Sequence, residues 1–127
     1  MTRLNEQPPK LLTATQFAKA TGATPRQLQW WDERGFLKPA VHARHRRQYD
    51  PDQRKIGRLF VELGHRSGPR LGKVVRLLKR RRMIEILQRF VAVRADGMDV
   101  VMTDQPDELL RFLAKSNAAW LAVEAGS

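Results

Sequence analysis

The sequence predicts a mainly α fold: a winged helix-turn-helix followed by a small C-terminal β-β-α-β unit. Three observations lead to it. Two short stretches of helical period, one from Thr13 and one from Pro25, are each stopped by a glycine, Gly22 and Gly35, and short helices joined by a tight glycine-containing turn outline a helix-turn-helix. Apolar residues then recur at helical spacing from Ile56 onward. Past Gln88 the apolar positions change to a strand-like pattern, interrupted by an Asp96-Gly97 pair.

Residues 1–10 are polar with a Pro8-Pro9 pair, and read as a flexible lead-in. From Thr13, Ala14, Phe17 and Ala18 share a helix face, and Gly22 suits the C-terminal cap. Thr24 offers an N-cap oxygen and Pro25 stands at the first helical position, where a missing N–H costs nothing. The second helix is therefore expected from Pro25 to about Arg34. The basic segment from Ala40 to Tyr49 has no helical period and fits a hairpin or loop, the wing. Asp50 with Pro51 is expected to open a third helix carrying Ile56, Leu59, Phe60 and Leu63, ending at Gly64. Pro69 is expected to open a fourth, with a stripe of Leu71, Val74, Val75 and Leu78 that extends to Met83, Ile86 and Leu87.

The expected domains are 11–88 and 89–127. In the second, Phe90 to Val93 and Met98 to Met102 flank Asp96-Gly97, whose glycine supplies the positive φ of a tight hairpin. A helix from about Pro106 to Ala114 and a strand from Ala119 to Val123 complete it. Three strands and one helix are marginal alone, so this unit is expected to pack on the rest of the chain or to pair with a second copy through Val91, Val93, Val100, Met102, Trp120 and Leu121.

Charge narrows the partner. Lys and Arg number 24 against 13 Asp and Glu, a formal net charge of +11. The excess is uneven: Met1 to Arg94 carries 22 basic and 7 acidic residues, Ala95 to Ser127 only 2 and 6. A basic block of that density points to a polyanion, double-stranded DNA before an anionic membrane. The absence of cysteine excludes disulfides, thiolate metal sites and thiol redox switching. His42, His45 and His65 lack ligand spacing, so no metal is expected. No nucleophile elbow, phosphate-binding glycine loop or paired carboxylates stand out; neither an enzyme nor a cofactor is expected. No apolar run is long enough for a signal core or membrane span, which predicts a cytoplasmic, nucleoid-associated protein.

The segment Thr24-Pro25-Arg26-Gln27-Leu28-Gln29-Trp30-Trp31-Asp32-Glu33-Arg34-Gly35-Phe36-Leu37 resembles the recognition-helix segment of the MerR family, with its capped turn, leucine, paired aromatics, acid and glycine. Arg47-Gln48-Tyr49-Asp50 is similar to that family's wing strand, and Glu62-Leu63-Gly64 to its following helix. The resemblance covers about Leu11 to Leu78. It departs at Gln29, where many members carry arginine, at His45-Arg46 ahead of the wing arginine, and in the β-β-α-β tail, which replaces the family's long dimerisation helix. The resemblance implies a bacterial transcription regulator, a homodimer that distorts promoter DNA, with RNA polymerase as a further partner.

On the second helix, residues four apart share a face, which groups Arg26, Trp30 and Arg34. Leu28 and Trp31 are expected inside and Trp30 against DNA; the alternative packs both rings against the wing and the first helix. Arg26 and Gln27 are placed for base edges, arginine on guanine and glutamine on adenine. Thr24 and Gln29 join them as candidates for phosphate or base contact. Arg44, His45, Arg46 and Arg47 suit phosphate or minor-groove contact, and Tyr49 is read either as a core anchor or as a phosphate donor. Lys79 to Arg82 point all round a helix and read chiefly as its solvated end. Two other functions compete: an architectural or excisionase-like DNA-bending protein, and a ligand- or partner-binding tail for which the helix-turn-helix is an address.

Overall fold

The computed structural model describes residues 10–43, 46–65 and 69–125. The chain divides into two compact units, 1–54 and 55–127.

In the first unit a two-residue strand β1 (Leu12–Thr13) leads directly into helix α1 (Ala14–Thr21), and helix α2 (Pro25–Arg34) follows. Both helices begin with a reciprocal capping box. The Thr13 hydroxyl accepts from the Gln16 amide at 3.1 Å while the Gln16 side-chain oxygen accepts from the Thr13 N–H at 2.9 Å. Thr24 and Gln27 repeat the arrangement on α2. Each box satisfies two amides that a helix start leaves without partners. At the end of α2, Gly35 takes φ +73°, a conformation costly for any residue with a Cβ. Strands β2 (Val41–Ala43) and β3 (Arg46–Tyr49) form an antiparallel pair, and β1 adds to the far edge of β3 through Leu12 opposite Tyr49. The sheet order is β1-β3-β2. The β1 pairing was not expected from the sequence, because two residues are too few to show a period. Phe17, Ala18, Ala23, Leu28, Trp31, Leu37 and Tyr49 are buried.

The expected third helix start is corrected. Asp50 caps a short 3-10 turn, Pro51–Gln53, and helix α3 runs from Arg54 to His65. The local bonds explain it: the Asp50 carboxylate accepts from Asp52 N–H, and the Gln53 side-chain oxygen accepts from Asp50 N–H, both at 2.9 Å. The Gln53 backbone N–H donates to the Asp50 carbonyl at 2.9 Å, the three-residue closure that makes the turn tighter than an α-helix, and the Gln53 side-chain amide donates to the Lys38 carbonyl at 2.7 Å.

The second unit holds most of α3, helix α4 (Leu71–Arg80), strands β4 (Phe90–Arg94) and β5 (Val100–Thr103), helix α5 (Pro106–Lys115) and strand β6 (Trp120–Glu124). Helix α4 is shorter than its apolar stripe predicts. Pro69 lies before its N-cap, Arg70, and Met83, Ile86 and Leu87 lie beyond its end. Arg82 takes φ +57°, Met83 N–H donates back to Leu78 at 2.9 Å and Arg82 N–H to Lys79 at 3.0 Å. That pair of bonds is a Schellman closure, here built on arginine where glycine is usual. Two of the residues assigned to the stripe therefore meet different fates: Leu78 is buried, while Ile86 is one of the most exposed apolar side chains.

Strand β4 is central in the order β5-β4-β6, both pairings antiparallel. α5 connects the two edge strands and packs on β5 and β4. Val91, Ala92 and Val93 are all fully buried, so both faces of β4 are covered. Of the apolar residues named for this unit, Val91, Val93 and Val100 are core, and Met102, Trp120 and Leu121 are half-buried. The tail shares a compact unit with α4 and most of α3, which is more cover than four small elements supply alone. The large exposed apolar side chains here are Ile86, Met98, Leu110 and Phe112.

Among the described residues no helix is long and apolar enough to cross a membrane, and no group of three or more His, Asp or Glu could hold a metal ion.

Candidate nucleic-acid interface

Helix α2 separates its side chains by face. Leu28 and Trp31 are 1% exposed, whereas Arg26, Gln29, Glu33 and Arg34 are exposed and Trp30 is 41% exposed. The Trp30 ring stands edge-on to Phe36, centroids 5.3 Å apart, and the Arg34 guanidinium lies 5.3 Å from the Trp30 ring centre. A cation over an aromatic face is attracted to it, and Arg34 is four residues from Trp30, one turn along the same stripe. The structure thus brings Arg26, Trp30 and Arg34 together on one solvent face. The Arg26 side chain makes no hydrogen bond or ion pair among the described residues.

Thr24 and Gln27 are held differently. The Gln27 side-chain oxygen accepts from the Thr24 N–H at 2.8 Å, and the Thr24 hydroxyl accepts from the Gln27 N–H at 3.0 Å. A glutamine reading adenine needs both its oxygen and its amide nitrogen. With the oxygen committed to the cap, the bidentate contact expected of Gln27 is not available in this conformation. Its amide N–H groups and the Thr24 hydroxyl proton remain as donors. Gln29 donates to Glu33 at 3.0 Å, one turn away, so it too has an internal partner.

Asp32 organises the neighbouring hairpin. Its carboxylate is only 6% exposed, and it lies one turn after Leu28 on the buried face. Arg47 Nε donates to Asp32 Oδ2 at 2.8 Å, His42 Nε2 lies 3.4 Å from the same oxygen, and Lys38 Nζ is 3.8 Å from Oδ1. Strand register explains the convergence, since His42 and Arg47 are direct partners across β2 and β3. The Asp32 hydrogen bond holds the Arg47 guanidinium above its ordinary pKa. Arg47 therefore ties the hairpin to α2, while Arg46, one position along, is exposed and has no partner among the described residues. Sequence reasoning missed Asp32. The available signal was an acid one turn from Leu28, inside a strongly basic segment.

Tyr49 is resolved in favour of the core. It is 0% exposed and stacks on Phe17 with centroids 4.2 Å apart and planes 9° from parallel. Its hydroxyl has no hydrogen-bond partner among the described residues, and burial pushes the phenol above its ordinary pKa. A phosphate cannot reach that hydroxyl in this arrangement. Arg44 and His45, also expected at the interface, lie outside the described residues.

The exposed face of α2 and the β2–β3 hairpin beside it combine free guanidinium groups, an exposed indole and a helix start with spare donors. These can hold phosphate oxygens and read base edges. The profile of the MerR HTH family regulatory protein matches residues 12–81, which spans β1 to the end of α4. No curated protein matches the chain.

Proposed function

The chain belongs to the MerR HTH regulatory family, a family of DNA-binding transcription regulators, and from that premise we propose that it acts as a homodimer that sets two α2 helices into successive major grooves and distorts promoter DNA. In this reading residues 11–88 are the DNA-binding domain and 89–127 a dimerisation or sensing unit, with RNA polymerase as a further partner. The observation that carries it is the solvent-facing stripe of Arg26, Trp30 and Arg34 on a helix capped at Thr24 and pinned from behind by Leu28, Trp31 and Asp32.

The residues assigned roles divide in two. Arg26 reads a base; Thr24, Trp30, Arg34 and Arg46 contact the sugar-phosphate backbone, and Gln27 and Gln29 contribute through side chains already partly engaged. Arg47 and Tyr49 hold the hairpin in position. For dimerisation, Leu110 and Phe112 on α5 supply exposed apolar surface.

The test is selection of DNA fragments by the purified protein, followed by salt titration of the bound fragment. Affinity should fall steeply with salt. Arg46→Ala should lower the slope by about one, and Arg26→Ala should relax preference at one base position at a cost of about 1–3 kcal/mol. A palindromic footprint within a promoter is expected. A flat salt response refutes the DNA reading, and a monomer by light scattering with and without DNA refutes the dimer.

A further inference from the structure

A cationic groove lies in the second unit. Lys73, Arg76 and Arg80 follow one another at three- and four-residue intervals on α4, so they line one face over about 10 Å. With Leu77, Gly97 and Met98 they enclose a space of about 240 Å³. The wall opposite α4 is the β4–β5 turn, and it is fixed at two points. Lys73 Nζ donates to the Asp96 carbonyl at 2.9 Å, and Arg81 donates to the Asp99 carboxylate at 2.6 Å.

The backbone conformation of the turn favours glycine, and the Lys73 stem and Pro69 lie against it. Gly97 has φ +73°, and a Cβ there would stand 2.9 Å from Lys73 Cδ and 3.1 Å from Pro69 Cβ. Both carboxylates of the turn are engaged elsewhere. Asp96 receives Arg94 through bonds of 2.7 to 2.9 Å and also accepts from Met98 N–H, and Asp99 is held by Arg81. Neither the Arg76 nor the Arg80 guanidinium has an ion-pair or hydrogen-bond partner among the described residues. Two guanidinium groups therefore share a groove in which neither has an anionic partner among the described residues, with the Lys73 ammonium, held on the Asp96 carbonyl, at its end.

We propose that this groove binds phosphate groups, with Arg76 and Arg80 as the principal ligands and Lys73 at its end. A single carboxylate would leave most of that charge unmatched, whereas a phosphoryl group brings a charge approaching two and three acceptor oxygens suited to guanidinium forks. Leu77 and Met98 give the groove an apolar side, on which the organic part of a phosphorylated small molecule can rest. The same chemistry serves a DNA phosphate, and the experiment separates the two sources.

Inorganic pyrophosphate is titrated by calorimetry into the full chain, into Arg76→Gln/Arg80→Gln, and into a charge-matched control, Lys19→Gln/Lys115→Gln. Saturable binding to the parent protein, weakened about tenfold or more in the arginine variant and unchanged in the control, is expected from the loss of charge-assisted hydrogen bonds. Absence of saturable binding, or equal weakening in both variants, overturns the proposal. The salt slope of DNA binding identifies the source: a fall of about two in the arginine variant assigns the phosphates to DNA, and an unchanged slope assigns them to a free ligand. Failure of DNA binding altogether leaves the pyrophosphate result standing, so the two readings fail separately.

Discussion

The molecule contains two three-stranded sheets of opposite construction. In the order β1-β3-β2, all of β2 is exposed, and the hairpin is held by the Asp32–Arg47 pair and by Tyr49 on Phe17. In the order β5-β4-β6, the middle of β4 is Val-Ala-Val with both faces covered, and the charged pairs sit at its rim. The difference teaches where each sheet can carry function. A sheet with little apolar cover leaves its outward residues free to meet a ligand but depends on one buried polar hub; a sheet with a covered core has no such dependence and offers its turn instead.

If that contrast is right, removing the hub should give the largest effect. Asp32→Ala strips Arg47 of its partner and leaves a half-buried guanidinium, which should cost about 2–3 kcal/mol, below the full penalty for a buried pair because Arg47 is partly solvated. Urea unfolding followed by tryptophan fluorescence measures it, since Trp30 and Trp31 both lie on α2. A change within error would mean that the apolar contacts alone hold the hairpin. Next, Val93→Ala should cost about 2 kcal/mol from the lost methyl groups and the space they leave. That loss should be insensitive to salt, and a strong salt dependence would break the distinction between the two sheets.

Tyr49→Phe is expected to move stability the other way, by up to about 1 kcal/mol, because it removes a buried hydroxyl that lacks a partner. A clear destabilisation would show that the hydroxyl is satisfied after all. The same residue gives a pH test. Its phenol pKa is raised by burial, so stability does not depend on this group's ionisation below the ordinary value of 10.0 and falls as pH rises from there through the higher folded value. As Tyr49 is the chain's single tyrosine, absorbance near the phenolate band should show ionisation delayed beyond that value in the folded protein.

The smallest effect belongs to the exposed counterpart of Asp32. Arg94, chiefly, and the Met98 N–H hold the Asp96 carboxyl down at about 2. Its contribution is present above the usual 3.8 and lost as pH falls toward 2. Asp96→Asn should leave neutral-pH stability within error and slightly flatten the acid limb of unfolding. A loss comparable to that of Asp32→Ala would mean that burial is not what separates the two pairs.

Local chemistry made much of the first unit legible. Thr24-Pro25 and Gly35 set the ends of α2 within a few bonds of themselves, and Asp96-Gly97 set the β4–β5 turn in the same way. Side-chain periodicity also separated Leu28 and Trp31 from Trp30. It failed where a contact came from far along the chain. Leu12 pairs with Tyr49, and Asp32 meets Arg47; no window of sequence contains both partners. The end of α4 was obscured for a different reason, because an apolar stripe continues into a segment that the left-handed Arg82 turns away.

The sequence by itself determined the helix-turn-helix, the basic character of residues 1–94 and the exposed stripe of α2, because caps, charge and helical period act over a few residues. Only the tertiary structure decided that Tyr49 is core, that Arg47 serves Asp32, and that Arg76 and Arg80 share a groove with Gly97. Those outcomes depend on which distant groups meet when the chain folds, and on which charges find their partners within it.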